Sequence, residues 1–78
     1  MKKIDELATV VLTRDIPEYG LRAGDIGPVV HRYADGLAYE VEFVSGEGRT
    51  VAVLTLTESD LRPMAAREIL HARRLVPA

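Results

Sequence analysis

Three glycines fall within eight positions, at 20, 24 and 27, in the stretch YGLRAGDIGPVV that runs from Tyr19 to Val30. Glycine costs conformational entropy wherever the backbone does not need it, so this spacing predicts a tight, positive-φ connection feeding a bent or bulged strand. The stretch leads into a strand pattern and lacks the Lys-Ser/Thr ending of a phosphate loop. Its glycines therefore read as architecture: Gly20 and Gly24 turn a long loop back, and Gly27 with Pro28 bends the strand that follows.

The rest of the chain reads as short strands around that loop. Ala8, Val10 and Leu12 share one face of a first strand over 7–13, and Val11 breaks the alternation, which predicts cover on both of its faces. In the loop over 14–24, Ile16, Tyr19 and Leu21 are apolar enough to tuck under the sheet, and Pro17 favours an extended Ile16. A second strand spans 25–33, and Pro28, which has no ladder donor, marks an edge or bulge within it. Asp35-Gly36 is a hairpin signal. In the third strand Leu37, Tyr39, Val41 and Phe43 form the expected core face, opposite Ala38, Glu40 and Glu42. Ser45-Gly46-Glu47-Gly48 is a second hairpin loop with two glycines available for positive φ. The fourth strand, 49–56, is apolar on both faces, so one face is expected to meet the C-terminal segment or another chain. Thr57 to Asp60 offers a capped single 3₁₀ turn before a brief fifth strand, Leu61 to Pro63. This is the layout of a small SH3-like barrel, although the periodicities also fit other small open barrels.

Size narrows what such a barrel can do. Seventy-eight residues make one small domain, and the absence of cysteine removes disulfides, thiolate catalysis and Cys-based metal sites. A core of this size rarely contributes more than about 3–5 kcal/mol without a staple or a partner. No apolar run approaches the roughly 18 residues of a membrane span, and the N-terminus turns acidic where a signal peptide needs an apolar stretch, so the expected location is the cytoplasm. The net charge of −2 is unevenly spread: residues 1–63 hold seven Lys/Arg against eleven Asp/Glu, whereas residues 64–78 hold Arg67, Arg73 and Arg74 against Glu68 alone. An acidic body with a short basic tail suits a protein partner with complementary patches better than a nucleic-acid backbone.

The segments VLTRDIPEYGLRAGDIGPVV, AYEVEF, VLTL and DLRP, in this order and spacing, resemble the bacterial domain-of-unknown-function family 4926 over about Leu7 to Pro63. The resemblance implies an all-β, five-stranded SH3-like barrel over residues 1–63 with no established activity, and a binding role of the antitoxin or immunity type. Pro28 departs from the family pattern, which has a small polar residue there. The Gly-x-x-Gly-Asp-x-Gly-x-Val pattern is also similar to the KOW motif, which implies the alternative of a nucleic-acid-binding barrel associated with transcription or translation.

Residues 64–78 lie beyond the resemblance and are expected to form a short C-terminal helix. Ala65, Ile69, Ala72 and Val76 fall on one helical stripe, with Arg67, His71 and Arg74 nearly opposite. Twelve residues make a marginal helix alone, so the stripe is expected to pack on the barrel or on a partner, including a second copy. Catalytic and metal-binding constellations are weak. His31 and His71 are far apart without ligand-like spacing, and Glu40 with Glu42 forms a solvated face on which Arg32 or Arg49 can oppose them. The expectation is a non-catalytic chain with no cofactor. The candidate partner-binding residues are Glu18, Tyr19 and Arg22 on the rim of the long loop, and Arg67, His71 and Arg74 in the tail.

Overall fold

In the computed structural model, which describes residues 4–75, the chain forms five antiparallel strands: β1 (Thr9–Leu12), β2 (Ile26–Arg32), β3 (Tyr39–Val44), β4 (Thr50–Leu56) and β5 (Leu61–Pro63). Their order across the sheet is β4-β3-β2-β1-β5, so the last strand returns to lie beside the first. Two 3₁₀ turns, Pro17–Tyr19 and Glu58–Asp60, complete the regular structure. Among the described residues no helix is long and apolar enough to cross a membrane.

β2 is the strand that both halves of the sheet share. Its first half, Ile26 to Pro28, pairs with β1, whereas its second half, Val29 to Arg32, pairs with β3, and the register shifts between Val29 and His31. The strand changes partners just after Gly27-Pro28, where a bend was expected, and its irregularity falls between Val29 and His31. Gly27 is required by space rather than by dihedral angle, because a Cβ there would collide with the backbone carbonyl of Glu42 in β3. Pro28 gives up a ladder donor at the point where pairing passes from one neighbour to the other, which is where that loss costs least.

The long first loop is an ordered hairpin of its own. Ile16 and Leu21 bridge each other through two backbone hydrogen bonds of 2.9 and 3.1 Å around the Pro17–Tyr19 turn, and Gly20 closes it in the left-handed region at φ 69°. Both bridging residues are buried, as expected, but Tyr19 projects outward and is 50% exposed, because it rides on the outer side of the turn that buries them. The core gathers Val10 and Leu12 of β1, Val29 of β2, Tyr39, Val41 and Phe43 of β3, Ala52 and Leu56 of β4, and Leu61 of β5 around these loop residues and Ile4. Val11 is buried too but lies outside this cluster, on the opposite face of β1.

Several expectations are corrected in detail. Leu37 is exposed because the Ala34–Gly36 turn, held by Leu37 N–H to the Asp35 carboxylate at 2.9 Å, delays β3 until Tyr39. In the second hairpin only Gly48 takes positive φ, at 84°, and Gly46 does not. Glu40 and Glu42 are met not by Arg32 or Arg49 but by hydroxyls, Tyr33 and Thr55 donating to Glu40 and Thr50 to Glu42. Cross-strand threonines stand nearer than long arginine side chains on the same face. The C-terminal helix is absent from residues 64–75, which run without regular structure apart from a turn at 66–67; Val76 lies outside the described residues.

Replacing Gly27 with alanine is expected to destabilise the fold by about 1–3 kcal/mol through that backbone overlap. Gly46→Ala, which meets nothing within 4 Å, is the control and is expected to leave urea denaturation unchanged.

Candidate functional site: a tail clamped across the sheet

The residues after β5 cross the outer face of the β5-β1-β2 half of the sheet, where Arg62, Val11 and Ile26 are neighbours in one cross-strand row. Two ion pairs fasten the tail at either end of that row. At the β5 end both guanidinium nitrogens Nη1 and Nη2 of Arg62 donate to Glu68 at 2.7 Å, and Glu68 also accepts the Ala65 backbone N–H at 2.6 Å, which shapes the intervening turn. At the β2 end Arg73 donates through Nε and Nη2 to Asp25 at 2.7 and 2.5 Å, and Nη2 also reaches the Gly20 carbonyl at 2.8 Å. Between the clamps, Met64 and Ile69 border the hollow over Val11. The crossing tail thus lies over the second buried face of β1.

The clamps also explain why the tail is not helical. In an α-helix, positions 68 and 73 would point about 140° apart around the axis and sit only about 7–8 Å apart along it. The two anchors instead face the same sheet across two strand spacings, about 9–10 Å. A helix of this length has little intrinsic stability to set against two bidentate, charge-assisted pairs.

Asp25 is prepared for its partner by the loop. Its carboxylate accepts the Arg22 N–H at 2.8 Å, its own N–H bonds to the Arg22 carbonyl at 2.9 Å, and Gly24 takes φ 96° to close that turn. Asp15 braces the same turn by accepting the Ala23 N–H at 2.8 Å. Asp25 and Arg73 side chains are only 17% and 20% exposed. Burial by itself would raise the Asp25 carboxyl. The Arg73 and Arg22 hydrogen bonds and the two guanidinium charges outweigh it and hold the group below its ordinary value. A third pair fixes the loop's other end: Arg14 Nε bonds Asp60 at 2.7 Å, and Asp60 also accepts the Thr57 N–H at 3.0 Å, completing the expected cap of the second 3₁₀ turn.

On both sides of Arg73 the tail borders an open groove of about 610 Å³, floored by Leu21, Phe43 and Val51 and flanked by Leu70, His71 and Leu75. The tail's apolar side chains do not fill it. Ile69 is 87% exposed, Leu70 66%, and Leu75 is also exposed.

Of the residues singled out from sequence, Glu18, Tyr19 and Arg22 lie on the loop rim next to Gly20, and His71 and Arg74 flank Arg73. Arg22 and His71 line the same hollow as Arg73, whereas Glu18, Tyr19 and Arg74 adjoin the clamp in sequence. Arg67 is separate, in the exposed turn near Arg62 and Glu68. The residues that organise the site, Asp25, Arg73, Arg62 and Glu68, were not among the candidates, because a helical wheel sorts tail residues by angle and not by what they reach. His31 stacks edge-on against Tyr33 at 4.7 Å. Among the described residues no group of three His, Asp or Glu side chains could hold a metal ion.

Residues 6–63 match the model of the domain of unknown function DUF4926. The chain belongs to that family. The match ends where β5 ends, so the clamped tail lies outside the matched domain while both of its sheet-side anchors, Asp25 and Arg62, lie inside it. No curated protein and no solved structure matches the chain.

The anchors make the tail acid-sensitive. The hydrogen bonds from Arg62 and the Ala65 N–H hold the Glu68 carboxyl down from 4.5 to about 2, and Asp25 is depressed in the same direction. Groups with depressed folded values contribute fully above their unfolded values and lose that contribution as pH falls through the folded ones. Amide NMR shifts of residues 65–75 are thus expected to hold constant down to about pH 4.5 and move towards released-chain values between there and about pH 2. A tail transition complete above pH 5 would show that these carboxylates do not anchor it.

Proposed function

We propose that the chain is a non-catalytic protein-binding module that contacts its partner through the clamped tail and the adjoining loop rim. The observation that carries this reading is the exposure of Ile69, Leu70 and Leu75 on a segment held in place by two bidentate ion pairs. Exposed apolar side chains on a frayed end would be unremarkable, but ordering a segment in order to leave them in water gains nothing for the fold. Pre-ordering lowers the entropic cost of binding, and the apolar groove beside Leu70 and Leu75 supplies a continuous surface. Tyr19, half exposed on the rim, adds an aromatic anchor of the kind interfaces favour.

The sheet itself supports an SH3-like barrel as the scaffold, since β5 returns beside β1 and β2 is shared between the two halves. The antitoxin or immunity role implied by the family resemblance is one form of this binding reading. The KOW-like alternative is less well supported: Arg14, Arg62 and Arg73 are each committed to a carboxylate, so their charge is locally neutralised and unsuited to phosphates.

With the full chain as bait, a partner identified on the wild type is expected to be lost at least tenfold on Leu70→Asp, with the melting temperature unchanged. Val30→Asp, an exposed apolar site on the opposite half of β2, is expected to retain it. Equal retention by both variants would remove the tail from the binding surface, and salt-sensitive binding of RNA or DNA that Leu70→Asp leaves intact would favour the KOW-like reading.

A further inference from the structure

The two edges of the sheet are treated very differently by the sequence. β5 is three residues long, ends in Pro63, and carries Arg62 clasped to Glu68, so its open side is short, charged and covered. β4 is seven residues long, Thr50-Val51-Ala52-Val53-Leu54-Thr55-Leu56, with no charge, no proline and no glycine. Residues 50–57 are the longest run in the whole chain without a charged side chain. β4 is the terminal strand of the sheet, and among the described residues no backbone hydrogen bond reaches its outer side. Its one interruption is the bulge at Val51, where the register against β3 shifts, and the uncharged edge from Ala52 to Leu56 is a template for a further strand.

We propose that β4 pairs antiparallel with β4 of a second copy, about a two-fold axis through Val53, joining two five-stranded sheets edge to edge. This goes beyond the tail reading and does not rest on it, because it uses the backbone edge of β4, which meets the tail's groove only at Val51. Three features point to a second copy as the occupant. A register centred on Val53 sets Ala52 against Leu54 of the partner copy and Leu54 against the partner's Ala52, small opposite large, on the core side of the sheet. Leu54 is only partly buried at the open edge, so its exposed side is what the partner's strand would cover. The same register sets Val53, 48% exposed, against itself on the outer side.

Charge supplies the third feature. A chain with an acidic surface repels its own copies unless the contact is neutral, and β4 carries no charge of its own from Thr50 to Leu56. The Glu42 and Glu40 carboxylates of β3 lean towards β4, where Thr50 and Thr55 donate to them at 2.6 and 3.2 Å. The two β3 backbones would lie three strand spacings apart, about 14 Å, with the hydroxyls of both β4 strands between their carboxylates. One pair of strands is a small interface, so the dimer is expected to be weak and concentration-dependent.

Because the chain has no cysteine, a single introduced thiol reports the axis directly. Directly opposed residues of an antiparallel pair have Cα atoms about 4.5–5.5 Å apart, within disulfide reach. Val53→Cys is expected to form a disulfide-linked dimer under mild oxidation at least tenfold faster than Leu37→Cys, an exposed site in the β2–β3 turn. Sedimentation equilibrium of the wild type should show the mass doubling between micromolar and millimolar chain. Val53→Lys, which places two ammonium groups on the axis, should remain monomeric with an unchanged melting temperature. Any one of three results would overturn the proposal: a wild type that is monomeric at millimolar concentration, a dimer that survives Val53→Lys, or cross-linking of Val53→Cys no faster than that of Leu37→Cys.

Discussion

The pair between Arg73 and Asp25 is the contact on which the outer half of this molecule depends. It joins a residue ten positions past the end of the sheet to the turn that launches β2, and in the same guanidinium it satisfies the carbonyl of Gly20. The long loop, the first turn of β2 and the tail are thereby tied at one point. Without it Asp25 would be a partly buried carboxylate stabilised only by its own turn, and the chain after Glu68 would have no further side-chain anchor among the described residues. The binding surface proposed for this protein is a by-product of that arrangement, since it is Arg73 that holds Leu70 and Leu75 beside the groove over Phe43 and Val51.

Beneath the tail, the fold is governed by the change of partners along β2. Five short strands can enclose a core of this size only if one of them serves both halves of the sheet, and Gly27 allows the β2 and β3 backbones to come close enough for that. The buried side chains are aliphatic apart from Tyr39 and Phe43, and no charged or polar residue is buried among the described residues. Polar side chains work at the periphery instead, as turn braces and clamps: Asp15, Asp25, Asp35 and Asp60 each accept at least one backbone N–H. Eight of the chain's residues between 50 and 57 carry no charge at all, which leaves the β4 edge chemically distinct from the rest of the surface.

Much of this was legible in the sequence wherever the signal was local. The alternation of Tyr39, Val41 and Phe43, the Asp35-Gly36 turn, the Thr57–Asp60 cap and the two-sided burial of Val11 all follow from patterns a few residues long. Local pattern misled at Leu37, where the turn runs two residues further than alternation suggested, and at Tyr19, where a three-residue turn points one apolar side chain outward between two buried ones. It failed in the tail, because the periodicity of Ala65, Ile69 and Ala72 is helical while the chain's actual partners, Arg62 and Asp25, lie 6 and 48 positions away from Glu68 and Arg73. An eleven-to-seven excess of acidic residues in the body and three arginines in the tail read as a match for a partner protein, whereas Arg73 meets the chain's own Asp25. Which carboxylate met which guanidinium depended on how the loop and β2 were placed.

Arg73 and Asp25 are coupled energetically as well as joined geometrically. A double-mutant cycle with Asp25→Ala, Arg73→Ala and the double variant, read by urea denaturation, isolates that coupling from the turn that Asp25 also supports. Two charge-assisted hydrogen bonds at side chains about four-fifths shielded from solvent predict a coupling of about 1–2 kcal/mol. A coupling indistinguishable from zero, with the two single losses simply adding, would mean that the tail is not fastened at this point.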